Sequence, residues 1–219
     1  MNRFLTLIVA LLGGLAIQAQ SIVDLYVDPD FAMEYTLTVN QRREQMQKAL
    51  NGVYDTLRTA SGVEAWIERL DTAAQLLVVH QTLNSTQQIK LVRLPQDRYV
   101  ILAIETTCAP ACASTIWLYS LKWRPVCLLA MPGQDYDFFT FPADMVDSEH
   151  ASQIRQNGRP RFIQADLIGS DTIRFTCHLP LLDRDPRLEE EKYIHPIDFK
   201  INDFVMQMTR QEADRQKRE

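Results

Sequence analysis

Cys108 and Cys112 enclose the short segment Ala109-Pro110-Ala111, and a cysteine pair so spaced has three chemistries open to it. A disulfide would clamp the turn. A redox pair would cycle between thiol and disulfide. Two thiolates could bind copper or zinc. Redox pairs more often carry two intervening residues and open a helix, whose N-terminus lowers the thiol pKa. Here the flanking segments read as strand, turn and strand. A metal site would need further ligands, and no histidine lies nearby in sequence. The other two cysteines, Cys127 and Cys177, each fall in an apolar run. They could join across a core or stay as buried thiols, since unpaired cysteine is among the most buried residue types. The expected scheme is Cys108 with Cys112 and Cys127 with Cys177.

His80, His150, His178 and His195 are scattered, as are the carboxylates Glu68, Glu105 and Asp166. Sequence alone pairs none of them. HExxH is absent, so a zincin-type hydrolase has no support. GxSxG is absent, and with it the nucleophile elbow of α/β-hydrolases. There is no P-loop, and the few glycines make no dinucleotide fingerprint. Asp183, Asp185 and Glu189 to Glu191 fail the calcium-loop spacing, because Leu188 stands where an EF-hand needs glycine. They read as a solvated acidic loop. No catalytic, cofactor-binding or metal residue is assigned.

Any site must be held by the elements around it. Asp28-Pro29-Asp30 reads as a helix start, with the helix running to about Thr38. Gln41 to Leu50 is polar, with Met46, Leu50 and Val53 as a thin apolar stripe and Gly52 placed to end it. From Val63 the hydrophobic period becomes two. Strands are expected over Val63 to Ile67, Ala74 to Gln81, Ile89 to Val92, Tyr99 to Glu105, Thr115 to Leu121 and Val126 to Met131. Tyr99 to Glu105 is apolar on both faces and should be central in its sheet. Short polar turns between these runs point to an antiparallel meander. Pro132 to Gly158 breaks the pattern: Tyr136 to Phe139 suits a flap, and Pro142 to Gln156 a helix. A hairpin follows, Phe162 to Leu167 and Thr172 to Leu179, the latter with Ile173, Phe175, Cys177 and Leu179 on one face. Phe175 and Leu102 are expected in the core. Tyr193 to Phe204 suggests a last strand, and Arg210 to Glu219 a frayed charged tail. The fold expected is α+β, dominated by an antiparallel β-meander sheet, with short helices near the N-terminus.

The first residues carry an address. Arg3 is followed by the apolar run Phe4 to Ile17 and by the small residue Ala19, the layout of a secretory signal peptide. The run is shorter than the roughly 20 residues a bilayer span needs. Residues 1–19 are therefore expected to be a leader, 20–209 a single α+β domain with a division into two sub-lobes at 132–158, and 210–219 a tail. Four cysteines in an exported chain favour disulfides. A net charge of −5 does not attract polyanions, so nucleic acid is not an expected partner. No later segment is apolar enough to span a membrane.

The stretch Ile104 to Pro125, IETTCAPACASTIWLYSLKWRP, resembles the signature of the domain of unknown function 3256 family, small exported proteins of Bacteroidales. Its elements are the cysteine turn Thr106 to Ala111, the strand Ile116 to Tyr119 and the Trp123 to Pro125 triplet. Asp24-Leu25-Tyr26 and the order of elements after it are also similar. The resemblance implies export to the periplasm or beyond and brings no known activity.

Two functions follow as expectations. One is a non-catalytic envelope module that binds an unknown envelope protein or ligand. The other is a thiol-redox or metal-handling protein using the Cys108/Cys112 turn.

Overall fold

The computed structural model describes residues 20–31, 37–59, 61–109, 111–132, 138–157, 162–178 and 191–216. The expected leader and the acidic segment 183–190 lie outside the described residues.

Seven strands follow one another in sequence and in space. They are β1 (Leu57–Arg58), β2 (Glu64–Asp71), β3 (Leu76–Thr82), β4 (Ser85–Leu94), β5 (Arg98–Cys108), β6 (Cys112–Tyr119) and β7 (Pro125–Leu129). Each pairs antiparallel with the next, in the order β1-β2-β3-β4-β5-β6-β7. This is the meander that the short polar turns predict. A second sheet has the order β10-β9-β8, from β8 (Phe162–Ile168), β9 (Thr172–His178) and β10 (Ile197–Lys200). The fold is α+β with antiparallel strands dominant.

The large sheet is covered on both faces, and β5 shows why. Ile101 and Ala103 point into a cluster with Leu77, Val79, Ile89 and the N-terminal residues Ile22, Leu25 and Met46. Leu102 and Ile104 point the other way, into a cluster with Phe175, Ile173, Leu167 and Phe204. Successive strand residues face opposite sides, so a strand apolar at every position must be buried twice. Leu102 and Phe175 are both fully buried, as expected.

The helices depart from expectation at both ends of the chain and between. The first, α1 (Ile22–Val27), ends at the C-cap Asp28, and the middle of the helix expected from Asp28-Pro29-Asp30 to Thr38 falls on 32–36, outside the described residues. Its start is a capping box between Ser21 and Asp24, two residues that compete well for the orphan N–H groups of a first turn. The second, α2 (Val39–Leu50), is capped by Thr38 and Gln41 and buries Arg42, Gln45, Met46 and Ala49. Leu50 and Val53, expected on its inner stripe, are exposed. The buried Arg42 donates to the carbonyls of Tyr26, Leu37 and Asp28 at 2.9–3.1 Å, so a polar stripe does the packing that the sequence pattern assigned to apolar residues.

The helix α3 (Glu149–Asn157) occupies only the end of the Pro142 to Gln156 segment. It covers a small cluster of Phe139, Phe141, Ala151 and Ile154. Phe138 belongs to the main core, so this part of the expected flap is packed down.

At the C-terminus the strand β10 stops at Lys200, and α4 (Ile201–Gln216) follows at once. Ile201, Phe204, Val205 and Met208 are buried against the second sheet and β7. Their spacing of three and four is the inner face of a helix, so a strand through Phe204 does not describe this region. Helices therefore stand at both ends of the chain.

Candidate functional site

The second sheet does not cover the whole face of the first. Where cover stops, five side chains form one cross-strand row. Trp66 pairs with His80, His80 with Thr86, Thr86 with Thr106, and Thr106 with Ser114. Directly paired residues lie on the same face, so the register alone lines up an indole, an imidazole and three hydroxyls across five strands.

The row is hydrogen-bonded at both ends. The register of β2 against β3 shifts between Ile67 and Arg69, which leaves Glu68 as the bulged residue. A bulge re-aims a side chain. Here Glu68 Oε2 lies 2.5 Å from His80 Nε2, while Thr86 Oγ1 lies 3.2 Å from His80 Nδ1. The two contacts engage both ring nitrogens of His80, one with a carboxylate oxygen and one with a hydroxyl. The ring also stacks on Trp66, centroids 4.4 Å apart and 7° from parallel. At the other end the Thr106 and Ser114 hydroxyls are 2.7 Å apart, and Ser114 Oγ accepts the Ala165 N–H at 2.9 Å.

The second sheet supplies the opposite wall. Gln88 Nε2 donates to Asp166 Oδ1 at 2.8 Å, and Gln88 Oε1 accepts the Leu167 N–H at 2.7 Å. Gln164 Nε2 donates to Asp166 Oδ2 at 2.9 Å, and Gln164 Oε1 lies 3.0 Å from His178 Nε2. A groove of about 330 Å³ lies between these walls, lined by Glu68, Arg69, Thr86, Thr106, Gln164 and Asp166 among others, with Cys108 at its margin. The amides span the seam between the sheets, while Glu68 stays more than half exposed at the mouth.

Four of the scattered residues thus gather here: Glu68, His80, Asp166 and His178. Glu105 does not. It lies on the opposite face, where Gln87 Nε2 donates to it at 3.3 Å, and burial pushes its carboxyl above the usual range. His150 and His195 are remote surface residues. The sequence missed Thr86, Gln88, Thr106 and Ser114. The available signal was period-two spacing of polar residues, Thr86 with Gln88 in β4, and a single polar residue, Thr106, two places after Ile104 in β5.

Cys108 and Cys112 form a disulfide, S–S 2.02 Å, between directly paired residues at the end of the β5-β6 hairpin. No helix begins at either cysteine, so the dipole that activates a redox thiol is missing from this turn. Cys127 and Cys177 both lie against the same core cluster, Cys177 buried and Cys127 partly so. Among the described residues no group of three or more His, Cys, Asp or Glu is placed to hold a metal ion.

The sequence profile of a family described as "Protein of unknown function (DUF3256)" matches residues 14–203. A solved domain of an uncharacterized protein from Porphyromonas gingivalis W83 has a similar fold, with a TM-score of 0.62 at 16% identity over 80% of this chain and 92% of that one. No curated relative matches.

Proposed function

The chain belongs to the DUF3256 family, and from that premise we propose that it is a non-catalytic exported module that binds an envelope component through the groove between its two sheets. The observation that carries this reading is the polar row from Trp66 to Ser114 at the edge of the covered face. Apolar strands that turn polar together, on one face and in register, make a surface suited to a polar ligand. The hydroxyls, amides and carboxylates of the groove are already hydrogen-bonded to one another, which fixes their geometry before any ligand arrives. The disulfide is compatible with an oxidising compartment, and no helix among the described residues is long and apolar enough to cross a membrane.

Sedimentation with isolated cell-envelope fragments tests the reading. The mature chain should pellet with the fragments, and Glu68→Lys with His80→Ala should reduce the pelleted fraction severalfold. A native chain that stays in the supernatant, or a variant that pellets equally, would refute it.

The redox alternative has its own test. Non-reducing peptide mapping should return the Cys108–Cys112 link, and that link should persist in mild reductant. Its ready reduction by a dithiol and reoxidation by the corresponding disulfide would favour a redox role.

A further inference from the structure

A second site lies on the other side of the seam, around a lysine that burial leaves short of partners. Lys90 occupies the middle of β4 on the covered face, paired in register with Leu76 and Leu102. The residue is only 7% exposed. Its ammonium donates to the Ala74 carbonyl at 2.6 Å. An ammonium carries three donors, and Lys90 has no ion pair within 4 Å among the described residues. A buried charge with two unused N–H bonds costs several kcal/mol unless something completes it.

The space beside it is a cavity of about 430 Å³. Lys90 to Arg93 of β4, Ser170 and Asp171 of the β8-β9 turn, and Lys200 to Asp203 at the β10-α4 junction line it. Asp171 does not neutralise Lys90. Its carboxylate takes the Lys200 ammonium at 2.6 Å and the Thr172 hydroxyl at 3.0 Å. Asn202 and Asp203 stand in the first turn of α4, a helix of 16 residues whose N-terminus carries partial positive charge, although its first N–H, that of Ile201, is taken by the Asp171 carbonyl at 2.8 Å.

We propose that this cavity binds a tetrahedral oxyanion, a phosphate or sulfate group, on Lys90, the Ser170 hydroxyl and the N-terminal turn of α4. Ammonium, hydroxyl and helix N–H donors together are the usual chemistry of phosphate binding. The cavity far exceeds the roughly 30 Å³ of one water, so the group can be free or the end of a larger ester. Burial also holds the Lys90 ammonium below its ordinary pKa, against the pull of Asp71 and Asp171, and a bound anion would reverse that shift.

The test is a thermal-unfolding titration of the mature chain in chloride buffer, with inorganic phosphate in one arm and glycerol 3-phosphate in the other. The midpoint should rise saturably in at least one arm, beyond any rise from sodium chloride of equal ionic strength. Lys90→Met, similar in length but uncharged, should abolish the rise. Ser170→Glu, an exposed position carrying its own carboxylate into the cavity, should weaken binding at least tenfold and serves if Lys90→Met does not fold. A response in the phosphate arm alone assigns a free anion, and one in the ester arm alone a phosphate carried on a larger molecule. A midpoint that follows ionic strength in both arms, or variants that respond like the native chain, would overturn the proposal.

Discussion

Glu105 illustrates how a single position can hold a residue that the fold tolerates at a cost. It is half-buried on the face opposite the groove, beside the buried Gln87. Burial raises its pKa above the ordinary 4.5, and the hydrogen bond from Gln87 only partly opposes this. The native state therefore holds the proton to higher pH than the unfolded chain. Whatever stability this lends is present in full below pH 4.5 and lost as pH rises through the native pKa. Glu105→Gln keeps an oxygen for Gln87 and removes the charge. It should raise the urea midpoint at pH 7, with the gain shrinking as pH falls through the native pKa and gone below pH 4.5. A gain of equal size at both pH values would show that charge burial is not its cause. None of this was readable from the sequence, where Glu105 ends an apolar run and looks like a strand terminus. Its environment depends on which face of β5 meets Gln87, and only the register decides that.

At the scale of elements, the sequence spoke most clearly where one physical rule acted alone. The β5 segment was legible because unbroken apolarity in a strand has one consequence, burial on both faces. The β8-β9 hairpin was legible through strict alternation around Gly169, whose φ of +63° suits its turn. The helices were less so. The first helix opens on a capping box of Ser21 and Asp24, seven residues before the Asp28 that the composition singles out. At the C-terminus, the alternating Ile197 and Phe199 ran directly into Ile201, so a strand pattern masked the helical one that begins there. The spacing of Ile201, Phe204, Val205 and Met208 was in the sequence all along. Phe204 contacts Phe175 and Phe199 with ring centroids 5.2 and 5.9 Å apart. Phe204→Ala should cost roughly 3–5 kcal/mol in denaturant unfolding, as a large aromatic deleted from a packed core does. A cost below about 1 kcal/mol would mean that α4 is not docked in solution.

At the scale of the molecule, the large sheet separates two apolar clusters, and both depend on the same strands. One takes Ile101 and Ala103 against the N-terminal helices, and the other takes Leu102 and Ile104 against the second sheet and α4. A division into two sub-lobes at 132–158 would let the second sheet unfold first. That would expose Leu102, Ile104, Ile116 and Leu118, all fully or almost fully buried, along one face of a standing sheet. Exposed apolar area at about 25 cal/mol per Å² makes such a half-covered sheet a poor intermediate. The groove depends on the same arrangement, because its two walls belong to different sheets and Gln88 ties them together. Unfolding in guanidinium should therefore be a single transition. Hydrogen exchange at β9 and at β5 should report the same global opening, and Ile101→Ala and Leu102→Ala should each shift that one midpoint. Two transitions, or exchange in β9 that runs ahead of β5 by orders of magnitude, would show instead that the second sheet is a separable unit. The groove would then open whenever that unit does.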